Sequence, residues 1–256
     1  SLKGIMFSSN NSMSEAEIIP DNKGGSTIFW LENQNKKTVL FCQFIDSTGS
    51  KRWGKNPIAI SKSNASVINY SIGKLGKGIY AAITYQGSTK IIYQQLISDK
   101  GKLLWGADGK LLTYQKGSQT NPQFAFVDSS VVVSWTNEFD KLKEVFIQRF
   151  NISGNRLWGN NGKRSINITG NQFGQRIVYD QKNGIIISWI DKRENDSPAN
   201  LFVQKLDLKG NFVWDAAGVM ISSSRNVQKS YLNLVPDGTG GVIAIYKSSF
   251  NKRNDI

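Results

Sequence analysis

Apolar runs rich in β-branched and aromatic residues alternate along the chain with short polar stretches carrying Asp, Asn and Gly. The clearest runs are Ser26–Trp30, Ile79–Tyr85, Val131–Trp135, Ile185–Trp189 and Val242–Tyr246. They are too apolar for strands with one wet face, so they predict strands covered on both sides. Other stretches alternate with a period of two, as in Val145-Phe146-Ile147-Gln148-Arg149-Phe150. No segment sustains a helical period. The polar stretches before the apolar runs, Asp21 to Gly25, Asp128 to Ser130, Asp180 to Gly184 and Asp237 to Gly241, hold the residues that close hairpins. Each unit therefore reads as four strands. A short first strand such as Asn121–Val127 precedes the turn and the apolar second strand. A variable charged loop leads to the alternating third strand, and a Gly-bearing turn leads to a fourth strand beginning at a Trp.

The tryptophans make the repetition explicit. Trp53, Trp105, Trp158 and Trp214 follow one another at intervals of 52, 53 and 56 residues. Each has Gly four positions earlier (Gly49, Gly101, Gly154, Gly210) and Gln ten positions earlier (Gln43, Gln95, Gln148, Gln204). The remaining three, Trp30, Trp135 and Trp189, close apolar runs, with Tyr85 and Tyr246 in the equivalent place. All seven Trp thus fall on two repeat positions.

Tandem four-stranded antiparallel sheets of about fifty residues predict an all-β fold, a β-propeller with about five repeats. One such sheet cannot cover its own faces, so neighbours must stack. The turn Gly supplies positive φ, the Trp a flat apolar wedge between blades, and the Gln a partner for open backbone groups. The expected organisation is one propeller domain over 1–256. Its repeats lie near 4–56, 57–109, 110–162, 163–218 and an incomplete 219–256. The segment Gly4-Ile5-Met6-Phe7 is placed to complete the last blade of a closed ring.

The core Gln-x2-Asp-x2-Gly-x3-Trp, present at Gln43, Asp46, Gly49, Trp53 and at Gln204, Asp207, Gly210, Trp214, resembles tandem repeats of large secreted bacterial surface proteins. That resemblance covers essentially the whole chain. It implies a propeller outside the cell, at the cell surface or in the periplasm, with a ligand left undefined. Ser98 and Asn151 replace the Asp in the middle repeats, so no ligand role for that Asp follows. The spacing is also similar, in part, to the tryptophan-docking motif of quinoprotein propellers and of the outer-membrane assembly lipoprotein. Ser98-Asp99-Lys100-Gly101 is similar to the Asp-box of sialidases, with the Trp one position late.

Composition narrows the chemistry. There is no His among 256 residues, which removes His-dependent relays and imidazole metal ligands and leaves carboxylate or lysine chemistry open. The single Cys42 sits in an apolar run and reads as a small buried hydrophobe. No apolar stretch approaches the ~20 residues that cross a bilayer, and Ser1 to Ile19 does not read as a signal peptide. The net charge of +13 favours an acidic partner, a protein or an anionic glycan, with no specific nucleic-acid binding expected. Its basic pairs, among them Lys36-Lys37, Lys192-Arg193 and Lys252-Arg253, also read as a soluble surface.

No catalytic residue, cofactor or metal site is expected. Gly73 to Gly78 precedes a strand and reads as a turn rather than a phosphate loop. Asp191 to Asp196 reads as a solvated loop before it reads as a cation site, and Asn64, Asn151 and Asn167 head glycosylation sequons. Trp30, Trp135 and Trp189 read as core rather than as sugar platforms. Any binding function is expected in the loops between strands two and three, Asn33 to Lys37, Asn137 to Lys143 and Asp191 to Asn200, at Asn137, Lys141, Lys143, Asp191 and Arg193. The expected role is a non-catalytic binding or spacer module. The alternatives are a scaffold subunit of an envelope assembly and a glycoside-acting propeller enzyme, the last needing a carboxylate pair roughly 5 to 10 Å apart in a central pocket.

Overall fold

The computed structural model describes residues 11–61, 65–193, 199–222, 228–250 and 253–255. Gly4 to Phe7, Asn64, Glu194 to Asp196 and Lys252 lie outside the described residues.

Five antiparallel sheets follow one another in chain order, each a blade of a β-propeller. The first holds β1 (Met13–Pro20), β2 (Ser26–Gln34), β3 (Lys37–Ile45) and β4 (Ile58–Ala59). The second holds β5 (Ser66–Leu75), β6 (Gly78–Gln86), β7 (Ile91–Ile97) and β8 (Lys110–Leu111). The third holds β9 (Ser118–Val127), β10 (Ser130–Phe139), β11 (Leu142–Asn151) and β12 (Lys163–Arg164). The fourth holds β13 (Asn171–Tyr179), β14 (Gly184–Lys192), β15 (Asn200–Asp207) and β16 (Val219–Ser222). The fifth holds β17 (Gln228–Pro236), β18 (Val242–Phe250) and β19 (Arg253–Asp255). Two compact units emerge, 1–112 with the first two sheets and 113–256 with the other three.

The apolar runs form the second strands. Val131, Val132, Val133 and Trp135 are fully buried, as are Ile185, Ile186, Ile187 and Trp189. Each of the three run-closing indoles stacks on the Phe paired with it across the sheet. Trp30 lies 6.0 Å from Phe41, Trp135 5.8 Å from Phe146 and Trp189 6.0 Å from Phe202.

The hairpin Trp belongs to a bend, and the fourth strand starts five residues later, at Ile58, Lys110, Lys163 or Val219. The cause is the recurring Gln. In the third sheet, Gln148 Nε2 donates to the Gly159 carbonyl, and its Oε1 accepts from the N–H groups of Arg149 and Trp158 at 3.0 and 2.9 Å. Gln43 and Gln95 make the same three kinds of bond, and Gln204 ties Lys205 N–H to the Asp215 carbonyl. All four are buried. The chain after the turn bonds to a side chain instead of a ladder.

The preceding turn is closed by the residue three after the Gln. Asp46, Ser98, Asn151 and Asp207 each accept two backbone N–H bonds, two and four residues on. An acceptor is all that the position requires, so Ser and Asn replace Asp there. Gly49, Gly101, Gly154 and Gly210 follow at φ between 78° and 82°. A Cβ on Gly101 would stand 2.7 Å from Trp53, and one on Gly210 would stand 2.9 Å from Trp158. In these two pairs the indole of one blade lies on the bare glycine turn of the next.

Two of the expected loops between strands two and three are absent. β2 and β3 join through Asn35 and Lys36, and β10 and β11 through Asp140 and Lys141, both pairs at positive φ, as a two-residue hairpin turn requires.

Candidate functional site

Every first strand carries a β-bulge, placed against the residue that closes the apolar second strand. In β1 the register shifts between Ser14 and Glu17, leaving Glu15 and Ala16 opposite Trp30. In β9 the extra residues are Asn121 and Pro122, opposite Trp135; in β13 they are Gly174 and Gln175, opposite Trp189. The shifts in β5 and β17 fall beside Tyr85 and opposite Tyr246. Glu15, Asn121 and Gly174 take positive φ, at 50°, 55° and 65°. Bulges of this kind re-aim side chains and gather near functional sites.

The bulges of β1 and β9 are pinned by the sheet that follows in the same unit. Tyr70 Oη donates to the Glu15 carbonyl. Gln175 Nε2 donates to the Asn121 carbonyl, and its Oε1 accepts from Thr136 Oγ1 at 2.8 Å. In the second unit, β13 packs against both β9 and β17, so the bulged strands of successive sheets face one another.

The bulge in β1 is the one that presents acids. Glu15 and Glu17 are both exposed, beside the buried Tyr70. Partial burial, then the neighbouring charge of Glu15, raises Glu17 above the usual glutamate range. Burial, together with the charges of Glu17 and Glu15, pushes the Tyr70 hydroxyl well up, so it stays a donor. Two close carboxyl groups, one with its proton held more tightly, can divide acid and base roles between them. The sequence signal was available. Glu15-Ala16-Glu17 is the one pair of acids on any first strand.

The expected binding positions are not gathered into a site. Asn137 is buried in β10 and donates to the Lys116 carbonyl at 2.9 Å. Lys141 sits in the two-residue turn, and Lys143 in β11 pairs with Glu138 at 3.8 Å on an exposed face. Asp191 is buried in β14. It accepts from Trp189 Nε1 at 2.8 Å and from both ends of the Arg193 guanidinium at 3.0 and 2.8 Å. Arg193 also lies 3.9 Å over the Phe202 ring. Asp191 and Arg193 are thus committed to the core, a consequence of hairpin strands running on where loops were expected. Glu32, in the equivalent place of the first blade, is likewise buried and accepts from Trp30, Asn11 and Gln34. The described residues contain no cluster of three or more metal-ligating side chains and no helix long and apolar enough to cross a membrane.

No protein-family model matches the chain, and no curated protein matches it. Its architecture does match solved structures. One is the GH93 α-L-arabinofuranosidase of Fusarium graminearum in complex with arabinobiose: 11% identity, TM-score 0.51, 91% of this chain and 76% of that one. Another is the polysaccharide lyase Uly1: 10% identity, TM-score 0.53, 94% of this chain and 57% of that one. A third is a D477G ACO/RPE65 chimera: 8% identity, TM-score 0.53, 95% of this chain and 57% of that one. Identities this low show a shared fold. The expectation of a non-catalytic binding or spacer module is nonetheless corrected by them. Propellers of this build include catalysts that act on glycans, and a carboxylate pair needs neither histidine nor a loop motif, the two absences on which that expectation stood.

Proposed function

We propose that this chain is a glycoside-acting β-propeller in which Glu15 and Glu17 are the acid pair. The observation that carries the reading is the bulge in β1, placed opposite Trp30 and held by Tyr70, at the one acid pair found on a first strand; the partial burial that raises Glu17 supports it. Glu17 donates its proton to the glycosidic oxygen as the bond from that oxygen to the anomeric carbon breaks. Water adds to the anomeric carbon, and Glu15 takes the proton that the water loses. The reading is supported by the likeness to an arabinofuranosidase and a polysaccharide lyase of the same architecture. The likeness of the Gln-Gly-Trp repeat to secreted bacterial surface proteins, and the +13 charge, favour an acidic polysaccharide met outside the cell.

The test is release of reducing ends from a panel of neutral and acidic polysaccharides by the wild-type chain and by Glu17→Gln. Turnover on at least one member, reduced by about 10² or more in the variant, is the expected result. Turnover unchanged by Glu17→Gln, products carrying a new carbon–carbon double bond, or silence across the panel overturns the proposal.

A further inference from the structure

In the first unit, a cleft of about 380 Å³ opens where the end of β1, the β5–β6 turn and the turn after β7 meet Trp53. Phe44 and Trp53 form part of its wall, with ring centres 6.0 Å apart, both half-buried. The Trp53 indole Nε1–H donates to the Asp99 carbonyl at 3.0 Å, which fixes the indole plane. Lys23, Lys74 and Lys77 stand exposed around the opening, and none forms a salt bridge among the described residues. Asp21 and Asp99 also line it; one Asp21 carboxylate oxygen accepts the N–H groups of Lys23 and Gly25, and its charge interacts with Lys23 and Lys74, leaving the lining with three cations against two acids.

At the corresponding junctions of the second unit cations reach from one blade to the next, and the cleft of about 560 Å³ that remains beside Trp214 has no lysine or arginine in its lining. The residue after the recurring Gln is Arg149 in the third blade and Lys205 in the fourth. Arg149 donates to the Leu208 carbonyl at 2.8 Å, and Lys205 to the Gly240 carbonyl at 2.8 Å. Lys163, five residues after Trp158, donates to the carbonyls of Lys209 and Gly210. Each of these cations spans from one blade to the next. In the first blade the same positions hold Phe44 and Ile58, which have no donors to span with. No cation ties this junction from those positions; its wall is aromatic, and Lys23, Lys74 and Lys77 stand at the mouth.

We propose that this cleft binds an acidic saccharide, a uronate-bearing residue of a glycan chain. Its ring face lies against Phe44 and Trp53, and its carboxylate meets Lys74 and Lys77. The volume suits one or two sugar rings. Aromatic rings offer a flat apolar surface to the C–H face of a sugar, and ammonium groups supply the charge preference. Ile19, the lining residue nearest the acid pair in sequence, is two residues beyond Glu17, roughly 7 Å along an extended strand, so the cleft adjoins the acid pair without including either carboxylate. The inference does not rest on the catalytic reading.

The test is binding of polygalacturonate and of neutral arabinan, by affinity electrophoresis and titration calorimetry at low and moderate salt. Wild type is expected to bind polygalacturonate in preference, more weakly as salt rises. The Lys74→Gln/Lys77→Gln variant is expected to weaken binding about tenfold. Lys141→Gln/Lys192→Gln, with the same charge change in the second unit, is expected to leave it nearly unchanged. Glu17→Gln is expected to bind as wild type, which separates this site from the acid pair. Equal losses in the two lysine variants, equal binding of arabinan, or no binding of polygalacturonate overturns the proposal.

Discussion

The contact between one blade's indole and the next blade's glycine turn makes a sharp prediction for Gly101→Ala. The new Cβ would stand 2.6 Å from Ile58 Cδ1 and 2.7 and 2.8 Å from two ring atoms of Trp53, on a residue at φ +78°. The left-handed conformation alone costs an L-residue about 1–2 kcal/mol. Forcing a methyl into the indole contact adds about 1–3 kcal/mol, because the ring must move or the turn must open. Gly106 supplies the control. It has φ +83° in the same unit and nothing within 4 Å of an added Cβ, so Gly106→Ala should pay the backbone cost alone. Gly210, 2.9 Å from Trp158, and Gly159, with open space, form the same comparison in the second unit. Urea titration followed by tryptophan fluorescence should give midpoints clearly lower for Gly101→Ala and Gly210→Ala than for their controls. Equal shifts within each pair would refute the idea that the glycine is kept bare for its neighbour's indole.

Other consequences follow from the same contacts. Gln148→Ala strands the Gly159 carbonyl and the N–H groups of Arg149 and Trp158 in a buried hairpin. A loss of about 2–4 kcal/mol in chemical denaturation is expected, and a loss under 1 kcal/mol would show that these bonds are replaced by water. Asp21 is held below the usual aspartate range by the Lys23 N–H, Asp46 by the Thr48 hydroxyl and Asp237 by the Thr239 N–H. Folding that lowers a carboxyl pKa adds stability above the unfolded value near 4 and loses it as pH falls through the folded value. Melting temperature should therefore drop on going from pH 5 to 3, and less steeply in Asp46→Asn, since Asn151 already closes the same turn. Burial pushes the Cys42 thiol far up, so a thiol reagent should label it only under denaturing conditions, and rapid labelling of the native protein would contradict its place in the core.

The architecture was legible because its determinants are local and repeated. Gln148, Gly154 and Trp158 act within one hairpin, and the same three contacts recur at a fixed period. The two-residue turns were less visible, because Asn35-Lys36 and Asp140-Lys141 lack the glycine that usually advertises a left-handed turn. Expected loops therefore became strand, and Asn137 and Asp191 moved from solvent to core. The acid pair was hidden for a different reason. A bulge is set by a register shift against a second strand, and nothing within Met13–Pro20 declares which residue will be the extra one. Asn121-Pro122 and Gly174 hint at it elsewhere, since Pro and Gly interrupt a ladder.

The assignment of Glu17 as proton donor is tested most directly by leaving-group dependence. On a glycoside that Glu17→Gln cleaves poorly, the variant should lose about 10²–10⁴ in kcat/KM when the leaving group is an alkoxide that needs a proton. It should lose little when the leaving group is a dinitrophenolate that departs without one. Equal losses on both substrates would contradict the account and return Glu17 to an ordinary surface acid.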